Sequence, residues 1–267
     1  MKITVFTSNQ PRHIALINRL ASISETTFAV MECTTVFPGV VQDFFKKSDV
    51  MRDYFSQVMS AERLLFGDLA FMRPNVRSLA MKSGDLQFIE RRQIEEALNS
   101  DVYVVFGSSY IKGWLVDYLV ERRALNIHMG ISPYYRGSSC NFWALYDARP
   151  EYVGATIHML SKGLDSGPIL YHALPTLKAQ SPFEFTMGAV EAAQKSLVER
   201  IGSGEIKNFL PQVQNKQLEI RYTKNADFTD EVATEFLSRR LDASALMELL
   251  NASSKPELIH PYYALLP

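Results

Sequence analysis

The sequence predicts an α/β fold with a largely parallel central sheet. Asp101-Val102-Tyr103-Val104-Val105-Phe106 is a near-continuous apolar run, which is what a parallel strand covered on both faces needs. Short apolar runs of this kind alternate along the chain with stretches of helical periodicity. A strand, a polar loop and a helix also open the chain.

Lys2 to Phe6 is the first strand, and Thr7-Ser8-Asn9-Gln10 is a polar turn. Pro11 suits a first helical turn, and Ile14, Ile17, Leu20 and Ala21 supply the apolar stripe behind it. No G-x-G-x-x-G follows the strand, so a classical dinucleotide fold is disfavoured. The helix N-terminus is a ready anion site, with Ser8, Asn9, Arg12 and His13 as its candidate ligands. The competing reading has these four cap the helix and face water. Thr27 to Glu32 is the second strand. Residues 41 to 66 read as helix, with Val50, Met51, Tyr54, Phe55, Val58 and Met59 on one stripe. Glu90 to Leu98 reads as another helix, preceded at Gln87 and Phe88 by a loop or short strand.

After the Asp101 to Phe106 strand come a Gly107-Ser108-Ser109 loop and a helix from about Ile111 to Arg122. The next strand, about Ala124 to Ile127, ends in Asn126 and His128. Residues i and i+2 of a strand point to one side, so these two leave the strand end together, where open α/β sheets place ligands. Residues 140 to 148 read as helix, and Gly154 to Leu160 as strand. Asp165 then sits in a Gly-bounded turn before Pro168-Ile169-Leu170. Pro182 to Ile201 is a helix opened by Ser181-Pro182 and closed by Gly202-Ser203-Gly204. Lys207 to Pro211 and Gln217 to Tyr222 read as a strand pair; Thr229 to Arg239 and Ala243 to Leu250 read as two short helices.

The 267 residues suffice for one large domain, or one domain and an appendage. An apolar fraction of 47% and a charged fraction of 21% describe an ordinary globular protein. No run approaches the roughly eighteen apolar residues of a membrane helix. The start reads as a strand and not a signal peptide. A net charge of −1 argues against a broad basic face for nucleic acid. Cys33 and Cys140 form no metal-ligand pattern, and Cys140 reads as a small buried thiol before it reads as a nucleophile. The expectation is a cytoplasmic protein with no membrane, nucleic-acid or metal partner, and a homodimer stays open.

One amide, one imidazole and one carboxylate (Asn126, His128, Asp165) thus fall on two loops. Each has a plain structural reading alone: a strand-end amide, a buried histidine, an Asx-turn. His158, mid-strand, reads as structural or supporting. The blocks that carry the three are N-I-H-x-G-x-x-P-x-Y-R-G from Asn126, G-A-T-I-H from Gly154 and G-L-D-S-G-P-I-L from Gly163. In this order the blocks resemble the folate-dependent formyltransferases, a family that includes glycinamide ribonucleotide transformylase, methionyl-tRNA formyltransferase and the sugar N-formyltransferases. The resemblance spans about residues 101 to 173, weakens before them and fades after about 210.

The resemblance implies a Rossmann-like formyltransferase domain over 1–205 and a C-terminal extension over 206–267. It implies N10-formyltetrahydrofolate as co-substrate, with Asn126 and His128 polarising the formyl group and Asp165 orienting or relaying. Which of His128 and Asp165 takes the amine proton stays open. Phe106, Gly107, Ser108, Ser109, Tyr110 and Ile111 would form the pterin loop, with the Leu164 to Gly167 turn closing the other side. Ser138 and Ser139 would contact folate or substrate. Chain length points to the sugar N-formyltransferases, which act on nucleotide-linked amino-deoxysugars such as a GDP- or dTDP-linked 4-amino-4,6-dideoxyhexose of the perosamine kind, for O-antigen and lipopolysaccharide synthesis. The diphosphate would lie at Ser8, Asn9, Arg12 or His13, with Arg136 as the competing cation. The alternatives are a glycinamide ribonucleotide type of acceptor, a formyl-folate hydrolase and, last, a non-enzymatic folate-binding module.

Overall fold

The structure, a computed structural model, describes residues 1–33, 48–178 and 180–264. In β1 (Lys2–Thr7), Ile3 and Val5 point into one core and Phe6 into a second. α1 (Pro11–Ala21) lays Ile14, Leu16, Ile17 and Leu20 on the first. β2 (Thr26–Cys33) divides in the same way, Ala29 and Met31 to one side and Phe28 and Val30 to the other. α2 (Asp49–Phe66) and the mostly exposed strand β3 (Val76–Lys82) follow. In β4 (Val102–Val105), Val104 joins the first core while Tyr103 and Val105 join the second, which α3 (Gly113–Glu121) covers with Leu115 and Leu119. Both faces of these strands are buried, and this is the physical origin of their continuous apolar runs.

β5 (Leu125–His128), β6 (Tyr135–Gly137), α4 (Cys140–Tyr146), β7 (Ala155–Met159) and β8 (Ile169–Leu174) carry the chain through its middle. α5 (Pro182–Gly202) is capped by the Ser181 hydroxyl, which accepts from Glu184 N at 3.2 Å, and packs along the first core. β9 (Arg221–Thr223), α6 (Asp230–Ser238), α7 (Ala243–Ala252) and β10 (Tyr262–Tyr263) complete the elements.

The main sheet has the order β10-β8-β7-β5-β4-β1-β2-β3. All neighbours are parallel except the two pairs made by β7, which runs against the rest. From β1 the chain moves outward to β2, and from β4 it moves the other way to β5. The order therefore reverses between β1 and β4, and the loops after these strands diverge around a crevice. The Thr7 to Gln10 turn and the Gly107 to Ser109 loop stand there, with the end of β5 beside them.

Three segments differ from their local pattern. Glu90 to Leu98 is not a helix but a 3-10 turn at Arg91–Gln93 followed by further turns. Buried Ile94 and Ala97 tie it to the second core, and their spacing imitates a helical stripe. The expected strand pair over 207 to 222 does not form. Glu205–Asn208 and Lys216–Leu218 are 3-10 turns, Gln212 bridges to Ile169, and β9 pairs with β6. The partners of this segment are distant strands, which no local pattern can show. β3 has no buried stripe to announce it, because it is an edge strand with four consecutive exposed residues. The 41–66 helix is α2 over its described part; residues 41–47 lie outside the described residues.

Candidate active site

β5 lies between β4 and the reversed strand β7, in a register that sets Asn126 opposite His158 and His128 opposite Thr156. Directly opposed residues share a face of the sheet, so the Asn126 amide meets the His158 ring, Nδ2 to Nε2 at 2.9 Å. The turn between β7 and β8 brings Asp165 over the same face. Its Oδ2 lies 3.4 Å from His128 Nδ1 and its Oδ1 lies 3.9 Å from His158 Nε2. A sequence separation of dozens of residues is thus closed by two adjacent strands and one turn. Gly167 is required at the base of that turn, since a Cβ there would fall 1.7 Å from Met159 O.

The charges follow from this geometry. Burial pushes the His128 pKa down, but the Asp165 carboxylate and the Cys140 sulfur together raise it well above the ordinary imidazole range. Burial would raise Asp165, yet His128, and then His158 and Arg136, hold it below its usual value. His128 and Asp165 therefore form an imidazolium–carboxylate pair. His158 is driven the other way, to about 4, by burial first and by the nearby His128 charge. Its Nδ1 lies 2.8 Å from Met159 O, so a neutral ring donates there and turns a lone pair on Nε2 toward Asn126. The Asn126 amide is thereby oriented with NH₂ toward His158 and one hydrogen still to give. Cys140 stands on the other side of His128, Sγ to Nε2 at 3.5 Å, as a buried thiol.

Two cavities border these residues, one on Asn126 and Asp165 and the other on His128. One, of about 200 Å³, is lined by Gly107, Ser108, Ser109, Tyr110, Ile111 and Leu164, together with Asn126, His158 and Asp165. The other, of about 350 Å³, is lined by His128 and Cys140 and by an aromatic wall that includes Tyr54, Phe142 and Phe228. Ser139 reaches this second cavity, as does Arg12.

Phe106 does not line the smaller cavity. It is buried against the His13 ring, with centroids 5.0 Å apart. Gly167 also stays out of the lining and serves the turn. The loop itself is anchored by Glu32, a residue that pattern reading misses. Its buried carboxylate accepts from Ser109 N, from Ser109 Oγ at 2.9 Å and from Gly84 N at 2.7 Å. The local signal is a carboxylate next to the end of a mostly apolar strand.

The first-turn anion site is changed more deeply. Ser8 is buried and donates its hydroxyl to Glu32 O at 3.0 Å. His13 is buried between Phe106 and Gly107, and burial, then Arg12, lowers its pKa well below normal, so it is a neutral ring inside the fold. Asn9 is half-buried, within 3.4 Å of Ser8 Oγ. The place of an anion is taken by Glu62 from α2. Its Oε1 accepts from Arg12 N at 3.0 Å and from Arg12 Nη1 at 2.9 Å. A helix N-terminus attracts an anion, and here the chain supplies its own. Arg136, in β6, binds Glu219 at 2.8 Å, while its buried Nε has no protein partner among the described residues.

Arg12→Ala should accordingly act on stability. It leaves the Glu62 side chain, only 5% exposed, without its counter-charge. The expected loss is about 1–3 kcal/mol, reduced from the fully buried case because Arg12 is partly in water. Thermal unfolding should drop by several degrees, at roughly 2–4 °C per kcal/mol for a chain of this size. An unchanged melting temperature with a raised Michaelis constant for an anionic substrate would instead return Arg12 to ligand duty.

Residues 74–201 match the formyl transferase family model. This stretch is a formyl transferase domain. It contains Asn126, His128, Asp165 and His158. A methionyl-tRNA formyltransferase from Synechococcus sp. (strain JA-3-3Ab) is 29% identical over 137 residues, which cover 50% of this chain and 42% of that protein. The match thus spans less than half the length of that relative. Among solved structures, a sugar N-formyltransferase from Shewanella sp FDAARGOS_354 aligns with a TM-score of 0.52 at 16% identity, covering 98% of this chain and 92% of that one. An N-formyltransferase from Helicobacter canadensis, in complex with folinic acid and dTDP-3-aminofucose, aligns with a TM-score of 0.52 at 12% identity, covering 88% and 79%. At these identities the likeness is one of fold, and it includes the mostly parallel sheet that holds the formyl transferase domain's three polar residues. Among the described residues, no cluster of three or more His, Cys, Asp or Glu could hold a metal, and no helix is long and apolar enough to cross a membrane.

Proposed function

We propose that this protein transfers the formyl group of N10-formyltetrahydrofolate to the amine of a nucleotide-linked amino-deoxysugar. The observation that carries this reading is the position of Asn126, His128 and Asp165 between two cavities. A group transfer between two bound molecules needs such a shared wall. The smaller cavity, with loop backbone on one side and the Leu164 turn on the other, suits the flat pterin, whose edge donors and acceptors pair with backbone. The larger, aromatic-walled cavity receives the amine-bearing ring. Its apolar face suits a 4-amino-4,6-dideoxyhexose, and a polysaccharide such as O-antigen would be the destination of the product.

The amine nitrogen adds to the formyl carbon, and the carbonyl oxygen becomes negative. Asn126 Nδ2 and the His128 imidazolium donate to that oxygen. As the tetrahedral centre collapses, the carbon–N10 bond breaks and the amine proton is carried by the His128–Asp165 pair to N10. The balance is one formyl group out of the folate and one proton back onto it.

The Shewanella and Helicobacter proteins support the sugar acceptor by what they are called and hold, and the Synechococcus relative keeps methionyl-tRNA as a second reading. The net charge of −1 weighs against the latter, because tRNA binding rests on phosphate neutralisation. The test is formyl-folate turnover with and without a panel of GDP- and dTDP-linked amino-deoxysugars. Tetrahydrofolate release that needs one of these sugars is the expected result. Release without any amine would make the protein a hydrolase. Release only with glycinamide ribonucleotide or methionyl-tRNA would overturn the sugar acceptor.

A further inference from the structure

The Asp165 carboxylate reaches His128 from a turn with unfavourable backbone. Asp165 has φ 45°, in the left-handed region that non-glycine residues rarely adopt. Ser161 Oγ ties the near side of this turn, to Gly163 O at 3.1 Å and to Ser166 Oγ at 2.9 Å. The far side is held by another part of the chain. Gln214 Nε2 donates to Asp165 O at 2.9 Å and to Gly167 O at 2.8 Å. Both amide hydrogens are used, one on each side of Ser166. The Gln214 side chain is buried, and its Oε1 has no protein partner among the described residues, so the amide is committed to these two carbonyls.

The backbone that presents Gln214 is itself fixed. Gln212 and Ile169 exchange both of their main-chain hydrogen bonds, at 2.7 and 2.8 Å, immediately after the turn. The same segment runs on into β9, which pairs with β6 in the loop that follows His128. There Ser138 N donates to Thr223 O at 2.9 Å and Thr223 Oγ1 donates to Ser138 O at 2.6 Å. A Cβ on Gly137 would fall 2.0 Å from Thr223 O, so the two backbones are in direct contact. Residues 212–223 thus touch the Asp165 turn at one end and the loop after His128 at the other. They lie beyond the stretch that matches the family model, which ends at residue 201.

We propose that Gln214 is a positioning residue, whose amide clamps the 165–167 turn and so holds the Asp165 carboxylate against His128. The proposal rests on the formyl-transfer reading only where turnover is measured. The groups that face His128 are Asp165, Cys140, His158 and, further off, Arg136 through its effect on Asp165; a change at Gln214 alters none of them chemically.

Gln214→Met keeps length and bulk but has no hydrogen to donate. The readout is the titration of the His128 imidazole in protein labelled with ¹³C-histidine, followed by NMR. In Gln214→Met it should move to lower pH, in the same direction as in Asp165→Asn. Gln214→Met should add nothing once Asp165→Asn is present, since both act through one contact. Turnover should fall by roughly ten- to hundredfold, the scale of losses from supporting partners of a site residue. Gln214→Asn keeps the amide on a shorter arm and should titrate between wild type and Gln214→Met; it carries the test if the Met variant does not fold. A His128 titration in both variants equal to wild type, or a full additional shift in the Asp165→Asn background, would overturn the proposal. A wild-type protein that transfers no formyl group would sink the functional reading, yet the titration would still decide whether the clamp exists.

Discussion

Replacing Asn126 by Ala should cut turnover by roughly a hundredfold or more while formyl-folate still binds, the usual loss for one oxyanion donor. A hundredfold corresponds to about 2.7 kcal/mol of transition-state stabilisation. The physical case lies in how the amide is held. His158 stays neutral because burial drives its pKa to about 4, and its Nδ1 hydrogen goes to Met159 O. Nε2 can then only accept, so Asn126 offers NH₂ to it at 2.9 Å and keeps a second hydrogen for the cavity. In the proposed transfer that hydrogen would meet the developing negative charge with no reorganisation at the moment of reaction. Asn126→Asp should be as damaging, since a carboxylate cannot donate. His128→Ala should be at least as severe, because it also removes the counter-charge of Asp165. Equilibrium binding of formyl-folate and single-turnover rates separate these effects. Near-normal single-turnover rates in any of the three variants would take that residue off the list.

Asp165→Asn should move the alkaline limb of the pH profile to lower pH and reduce turnover near neutrality by roughly 10²–10⁴-fold, the range for loss of acid–base function. In the wild-type protein the Asp165 carboxylate, together with Cys140, overrides burial and raises the His128 pKa well above 6.5. The imidazolium therefore persists through neutral pH, and activity is lost as pH rises through the raised value. Once the carboxylate is gone, burial is opposed by Cys140 alone and His128 should lose its proton at lower pH than in the wild type. Stability follows the same signs. The raised pKa of His128 contributes stability that is complete below 6.5 and lost as pH rises through the folded value. The lowered pKa of Asp165 contributes stability that is complete above 3.8 and lost as pH falls through the folded value. The pair should stabilise the fold most between these two limits. Rate profiles from about pH 5 to 10 check the kinetic claim, and an unshifted alkaline limb in Asp165→Asn would show that some other group titrates.

What was legible in the sequence was what short-range periodicity encodes. The run Asp101 to Phe106 is apolar throughout because β4 is covered on both faces, and a fully covered strand has no other composition open to it. Asn126 and His128 could be placed together because side chains of a strand repeat every two residues. Asp165 stood out because it occupies a turn between glycines, and a short polar residue tolerates the φ of 45° found there. The helix α1 showed its stripe and α5 its caps, and α3, α6 and α7 lie within the stretches read as helix.

Tertiary structure alone decided which of these polar groups are available. Ser8, Arg12 and His13 form a credible anion site in one dimension, yet Glu62 arrives from α2 to fill it and Phe106 covers His13. Glu32 holds the Ser109 loop from the end of a strand far away in sequence. His158 becomes the partner of Asn126 only through the register of the reversed strand β7. The segment 212–223, read locally as half of a hairpin, bonds instead to Ile169 and to β6. The reason is the same in each case. A periodic pattern reports how a segment meets its own face of the core, whereas a hydrogen bond or ion pair between distant segments depends on the register and crossing of the elements that carry them, and many sequences of equal local pattern differ in that register.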